Sequence, residues 1–541
     1  MIKRFFFTLL FVMVFLSSYS NNIKGGVYYS DKRKITFSYD NSDYLFEWYI
    51  SPDQKPDILR IYCDKPTTTI CFNLPSEKIE FKVSEKDTID FVIILNGKDS
   101  AFTQIVGVKE ILNTITLEEK LYSLSLLWSE VKYNFVNFDR IDFDWDSLYS
   151  ACITEVLKSQ NDIEYYRILK KFYAALHDGH TQVSTPNSLR IYYDYIPANI
   201  GVFEKELFIT SIRKGIGLDS TLLLAKILKI DNIPIEEYLE KKIFPFISAS
   251  TEQSKWFQVP QAICYDLRSY DFVAEVLKTN GEIATISLKR NGEVTRTMNE
   301  KSFRINNKEN DNWDFVQLNW LQDSILHLSV NSFYPEEIVI NQLKDKEEEI
   351  LKAKKLIIDL RKNGGGSTTV AWVLQSYLTK GDFFINYAWQ SRINDGVKKA
   401  NGNWIEKYSD FYEYKAYRTE EGDTISVSDT IQRWSMPTVI LIGEFTFSAA
   451  EDFLVNLYEV PDRPILIGSE TGGSTGSPLV IDNLPLDSWA RLCTRRILYP
   501  YSKTPFVNKG VTPDIVVEKT FQDYLTGEDV VLNKAIEYLQ K

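Results

Sequence analysis

Thr438-Val-Ile-Leu-Ile-Gly-Glu-Phe-Thr-Phe-Ser448-Ala-Ala-Glu-Asp-Phe-Leu-Val-Asn-Leu457 changes its hydrophobic period in the middle. The run Thr438 to Ile442 is apolar and β-branched and stops at Gly443, as a buried strand does. Beyond a short polar turn, Ala449, Phe453 and Leu457 recur at helical spacing. The stretch therefore predicts a strand, a tight turn and a helix, with Ser448 at the junction. Two readings of Ser448 follow. It is either an N-cap opening an ordinary α/β crossover, or a nucleophile beside the free N–H groups and positive end of a helix.

Working outward, Lys355-Leu-Ile-Ile-Asp-Leu360 repeats the buried-strand pattern, and Asp359-Leu-Arg-Lys-Asn-Gly-Gly-Gly366 leads from it into a helix predicted over Thr368 to Leu378. Consecutive glycines let a backbone approach closely enough for an N–H to point at a developing oxyanion. A glycine loop after a strand also suits a phosphate, but this one lacks a Walker lysine and the Rossmann spacing. With Ile325 to Val330 and Pro464 to Gly468, these runs predict an α/β layered core from about residue 306 to 541. His327 lies inside a strand and reads as packing.

The chain has three histidines, and His177 and His180 fall in Leu176-His-Asp-Gly-His-Thr181. Two histidines three apart can ligate a metal when both lie on one helical face. No cysteine, third histidine or carboxylate motif completes such a site, and Gly179 is expected to stop the helix between them. One of the pair reads as structural; the other is a candidate general base for a serine elsewhere in the fold.

The remaining chain divides by pattern. Lys3 and Arg4 precede an apolar core from Phe5 to Leu16 and a small-x-small site at Ser18-Tyr-Ser20, so residues 1–20 read as a secretory signal. Export, to a periplasmic or extracellular location, is the expectation. Residues 21–110 alternate as a β-rich domain in which Cys63 and Cys71 flank a turn and are either a hairpin bridge or unpaired packing cysteines. Residues 111–190 are helical, opening at the capping box Thr116-Leu-Glu-Glu119, with further helices over Trp145 to Lys158 and Asp162 to Leu176. Residues 191–305 return to β; Leu228-Lys-Ile-Asp-Asn-Ile-Pro-Ile-Glu-Glu-Tyr-Leu239 and Ile286-Ser-Leu-Lys-Arg-Asn-Gly292 resemble a PDZ module, with residues 245 to 275 as an insertion. Such modules add a peptide, often its C-terminus, to a sheet edge. A net charge of -12 argues against a nucleic-acid partner or an anionic membrane surface, either of which needs a basic face.

The glycine motif resembles the Asp-Leu-Arg-x-Asn-x-Gly-Gly signature of the S41 serine peptidases, a family that includes C-terminal-processing and tail-specific proteases and the tricorn core. "LHDGHT", "TFSAAEDF", "IGSETGGSTG" and "NKGVTPDIVV" match it further, in order. The resemblance implies an α/β catalytic core of the ClpP/crotonase type, no metal or cofactor, and a peptide or protein substrate. Position by position it makes Ser448 the nucleophile, with the N–H of Ala449 and that of Gly365 or Gly366 as oxyanion donors. One departure matters. The tail-specific branch takes its base from a lysine, and Ser474 stands at that position. The histidine-containing, tricorn-core-like branch is therefore the better match, with His180 as base. For the carboxylate behind the imidazole the assignment is Glu470, with Asp178 as an alternative and Glu451 as a supporting group. The rival reading is a non-catalytic peptide- or ligand-binding protein on the same scaffold.

Overall fold

The computed structural model describes residues 113–213, 220–290 and 314–541, the strand Ser302–Arg304, and six strands between Arg33 and Gln104. The expected signal, residues 1–20, lies outside the described residues. The six early strands form an antiparallel hairpin, Arg33–Tyr39 with Ser42–Trp48, and a four-stranded antiparallel sheet. In that sheet the register sets Cys71 opposite Arg60 and not opposite Cys63. The side chains of both cysteines lie outside the described residues. Among the described residues no helix is long and apolar enough to cross a membrane.

Residues 113–187 and 193–541 form one compact unit. Its first part is three helices, α1 (Leu117–Asn134), α2 (Trp145–Lys158) and α3 (Asp162–Ala174). The capping box at Thr116 is present, and Trp145 stacks on Phe172 with ring centroids 4.2 Å apart. Helix α3 ends sooner than Gly179: its last residue is Ala174, and His177 takes a left-handed φ of 49°.

The second part is a β module with its own hydrophobic core. Its strands are β1 (Tyr193–Tyr195), β2 (Ala198–Phe203), β3 (Glu206–Arg213), β4 (Lys226–Ile230), β5 (Tyr265–Leu267), β6 (Phe272–Leu277) and β7 (Ile283–Leu288). The expected insertion holds a 13-residue helix, α4 (Glu252–Cys264), capped by Thr251. This helix packs along β2. The backbone beside it is also taken, because β5 pairs with β1 and Ile196 N–H donates to Cys264 O at 3.0 Å.

The third part is a six-stranded sheet in sequence order, β8 (Val316–Trp320), β9 (Ile325–Val330), β10 (Lys355–Asp359), β11 (Thr438–Ile442), β12 (Ile465–Gly468) and β13 (Ile515–Val516). All neighbours are parallel except β8 and β9. Parallel strands in simple order, joined by right-handed crossovers, carry those crossover helices on one face. There α5 (Thr368–Leu378) and α6 (Ala449–Tyr458) bury Leu356, Ile358, Ile440 and Ile442, while α7 (Val530–Gln540) covers Ile357, Val439 and Leu441 on the other face. Cover on both faces is why these strands read as unbroken apolar runs.

The Asp-Leu-Arg part of the glycine motif is structural. Arg361 donates to Asp359 through its backbone N–H and Nε, both at 3.0 Å, and grips Asp529, the N-cap of α7, at 2.7 and 2.9 Å. His327 completes the cluster, with Nε2 3.1 Å from Asp359 Oδ2. Burial works against the Asp359 carboxylate, but the His327 hydrogen bond and the Arg361 charge hold it well below the usual carboxylate range. Replacing Arg361 by Met leaves Asp359, 8% exposed, without its cation. The expected loss in urea unfolding is about 3 kcal/mol, the low end for breaking a buried pair. An unchanged midpoint contradicts this role.

Candidate active site

Three loops leave the carboxyl ends of β10, β11 and β12, where open α/β sheets hold their ligands. The β11 loop carries Ser448 at φ 58° and ψ -128°, a conformation rare for a residue with a Cβ. Strain of this kind costs about 1–3 kcal/mol. The hydroxyl is not spent on capping α6, because Glu451 and Asp452 N–H donate to the Ser448 carbonyl at 2.7 and 3.1 Å. Forgoing a side-chain cap gives up about 1 kcal/mol more. An ordinary helix cap has no reason to accept both costs.

His180 supplies the hydroxyl's partner. Its Nε2 lies 3.0 Å from Ser448 Oγ, and its Nδ1 lies 2.8 Å from Ser474 Oγ. The imidazole arrives from the helical part because the next residues form a strand: Val183 pairs with Ala490 and Gln182 with Arg491. Cys493 N–H donates to Thr181 Oγ1 at 3.1 Å, and Arg496 binds Asn137 Oδ1 and Val136 O at 3.0 and 2.9 Å. Phe447 lies flat on the imidazole, 4.7 Å between centroids and 7° from parallel. Glycine leaves room for that ring: a Cβ on Gly472 would stand 2.5 Å from Phe447 Cδ2.

The imidazole is 4% exposed as part of its residue, and burial, helped by the Arg491 charge, lowers its pKa from 6.5 to about 3. It is therefore neutral at ordinary pH. Asp178 holds it from behind, accepting from His180 N–H and Thr181 Oγ1, both at 2.9 Å. Its other oxygen makes no hydrogen bond among the described residues, and burial raises its pKa. His177 is exposed, so the two histidines do not converge.

Glu470 is not the group behind His180. It is exposed and hydrogen-bonds Gln253 Nε2 at 3.3 Å, while Ser474 occupies the place at Nδ1. Glu451 is a second buried carboxyl of the site. It accepts from the N–H of Gly473, Ser474 and Ser448 at 2.7, 3.1 and 3.2 Å, and from Thr471 Oγ1 at 2.5 Å. Burial pushes it up to about 8 against those four donors. One side chain thus fixes both the serine turn and the loop that presents Ser474. The spacing Ser448-x-x-Glu451 carried this signal as a capping-box pattern.

The glycine loop divides the expected oxyanion donors. Gly365 N–H is committed to Asn363 Oδ1 at 2.9 Å, so it is not available to a ligand. Gly366 bridges Phe333 through the carbonyl of Gly365 and the N–H of Ser367, a pattern that leaves its own N–H out of the bridge. Ala449, the first residue of α6, has an N–H outside the intrahelical ladder. Gly365 is needed for close approach, since a Cβ there would stand 2.6 Å from Ser448 Cβ. Asn363, which the sequence reading passed over, also accepts from Phe447 N–H at 3.1 Å and so ties the glycine loop to the serine turn.

Among the described residues no group of three His, Cys, Asp or Glu side chains is placed to hold a metal ion.

Residues 324–517 match the model of peptidase family S41. Two solved structures of mature CPAF share the fold: one complexed with lactacystin (13% identity, 78% of this chain and 99% of that chain, TM-score 0.57), and a second crystal structure of mature CPAF (14%, 77% and 96%, 0.58). A putative peptidase from Parabacteroides merdae is similar at 19% identity over 79% of this chain and 97% of that one, with a TM-score of 0.47. No curated protein sequence matches the chain. Peptidase family S41 is a family of peptide-bond hydrolases. This core belongs to peptidase family S41.

A neutral, dry imidazole has a clear signature in solution. Its NMR ring signals are expected not to titrate between pH 5 and 8, whereas a midpoint near 6.5 contradicts the buried geometry. Because the unfolded chain binds this proton first, the His180 contribution makes stability fall as pH drops from 6.5 toward 3.

Proposed function

We propose that this protein is an exported serine endopeptidase that cleaves peptides or unstructured protein segments by acyl transfer to Ser448, with His180 as general base. The observation that carries this reading is the 3.0 Å contact between His180 Nε2 and Ser448 Oγ. With Nδ1–H donated to the Ser474 oxygen, Nε2 keeps the lone pair that takes the serine proton. The serine oxygen then attacks the substrate carbonyl, and the new oxyanion is met by the N–H groups of Ala449 and Gly366. His180 returns the proton to the leaving amine. Water repeats the sequence on the acyl-enzyme, again through His180, and frees Ser448.

Ser474 is a positioning residue in this scheme: it fixes the tautomer and tilt of the ring with a neutral hydrogen bond where many serine hydrolases place a carboxylate. Glu451 positions Ser474 in turn. The substrate is a peptide or protein chain, possession of a free C-terminus being one form it takes. Export rests on the signal-like residues 1–20.

Peptide hydrolysis tests the roles separately. Ser448→Ala is expected to abolish turnover and His180→Ala to lower kcat at least about 100-fold, as for loss of a general base. Ser474→Ala is expected to lower kcat about tenfold, the worth of one neutral hydrogen bond, and Glu470→Ala to stay within about twofold. Full turnover in Ser448→Ala, or a Glu470→Ala defect as deep as that of His180→Ala, contradicts the assignment.

A further inference from the structure

The loop Glu444-Phe-Thr-Phe-Ser448 uses its two phenylalanines differently. Phe447 is stacked on the base, whereas Phe445, 38% exposed, faces outward. Its outward ring rests against Phe257 of α4, which is itself 44% exposed, with centroids 5.0 Å apart and planes 29° from parallel. Two large aromatic rings stacked on each other and still open to water form an apolar surface that a further apolar group can cover.

The place of this surface is set by the glycine loop. A Cβ on Gly364 would stand 3.1 Å from Phe445 Cζ, and the next residue, Gly365, is the one that touches Ser448 Cβ. The aromatic pair is therefore one residue along the loop from the nucleophile. Its outer partner is held there by polar contacts between the β module and the catalytic loops. Gly179 N–H donates to Ser250 Oγ at 2.9 Å, Thr251 Oγ1 to Gly472 O at 3.1 Å, and Gln253 Nε2 to Thr471 O at 3.1 Å. Gln253 lies one helical turn before Phe257 and also binds the exposed Glu470; Glu444, exposed as well, adjoins Phe445. An apolar floor is thus bordered by two carboxylates.

Resting on the reading of Ser448 as nucleophile, we propose that Phe445 and Phe257 form a specificity subsite that receives a bulky apolar side chain next to the scissile bond and disfavours an acidic one. The substrate class follows from the chemistry: leucine- or phenylalanine-sized side chains bury the two rings, alanine leaves them wet, and aspartate brings a negative charge onto an apolar floor flanked by Glu444 and Glu470. The β module then shapes specificity by lending Phe257 to the catalytic mouth.

The test has a binding arm and a turnover arm. In full-length protein carrying Ser448→Ala, fluorescence-labelled peptides that differ at one position between Leu, Ala and Asp are expected to bind in that order, Leu about tenfold tighter than Ala. Adding Phe257→Ala should bring the Leu to Ala ratio close to one, and Phe257→Leu should restore most of it. In the otherwise unmodified protein the same ratio of kcat/KM is expected to collapse in Phe257→Ala. Equal weakening of all three peptides, or a ratio unmoved by Phe257→Ala, overturns the subsite. A preserved binding ratio without any peptide turnover keeps the subsite and overturns the nucleophile reading instead, so the two failures are distinguishable.

Discussion

The chemistry proposed for this molecule depends on one hydrogen bond between parts of the chain 268 residues apart, His180 to Ser448. Neither partner holds itself in place. Ser448 sits in a strained turn that the sheet, the glycine loop and Glu451 must over-determine, since strain of about 1–3 kcal/mol persists only where the surroundings enforce it. His180 is carried by a helical segment whose orientation relative to the sheet is fixed by a two-residue strand pairing and by the bonds of Arg496 and Thr181. Loss of that docking would leave both residues intact and the contact broken.

The dryness of the contact has a second consequence. A buried imidazole is a weak base in the resting state, because nothing solvates its cation. In the proposed proton transfer the positive charge is therefore met locally. Asp178, bonded to the backbone of His180, and Glu451, bonded to the backbone of Ser474, are buried carboxyls beside the ring and its partner. Burial raises the pKa of both. The pair places carboxyl groups around the imidazole without a direct contact to Nδ1, which a neutral hydroxyl fills.

Much of this was legible in the sequence, and the reasons are physical. The strands at Lys355 and Thr438 announce themselves because cover on both faces demands uninterrupted apolar residues. Ser448, Ala449, Gly366 and His180 stand at changes of period, where turns must fall. Glu470 was misplaced because proximity in sequence says nothing of which way a loop turns: Thr471 and Ser474 enter the interior, whereas Glu470 points to solvent. The resemblance offers Gly365 or Gly366 as a donor without choosing between them, and the side chain of Asn363 claims the N–H of Gly365. Helix α3 stopped before Gly179 because Ala175 and His177 close it, leaving Asp178 free to turn inward. The insertion at 245 to 275 gave no sign that its helix would lie along β2 and reach the catalytic loops, since such packing is decided by distant partners.

The most direct measurement is a crystal structure of the protein after reaction with a fluorophosphonate. A covalent bond from phosphorus to Ser448 Oγ, with a phosphonyl oxygen within hydrogen-bonding distance of the N–H groups of Ala449 and Gly366 and His180 Nε2 beside the adduct, is the result this account predicts. An unmodified Ser448, or an adduct whose oxygen faces away from both N–H groups, would contradict it.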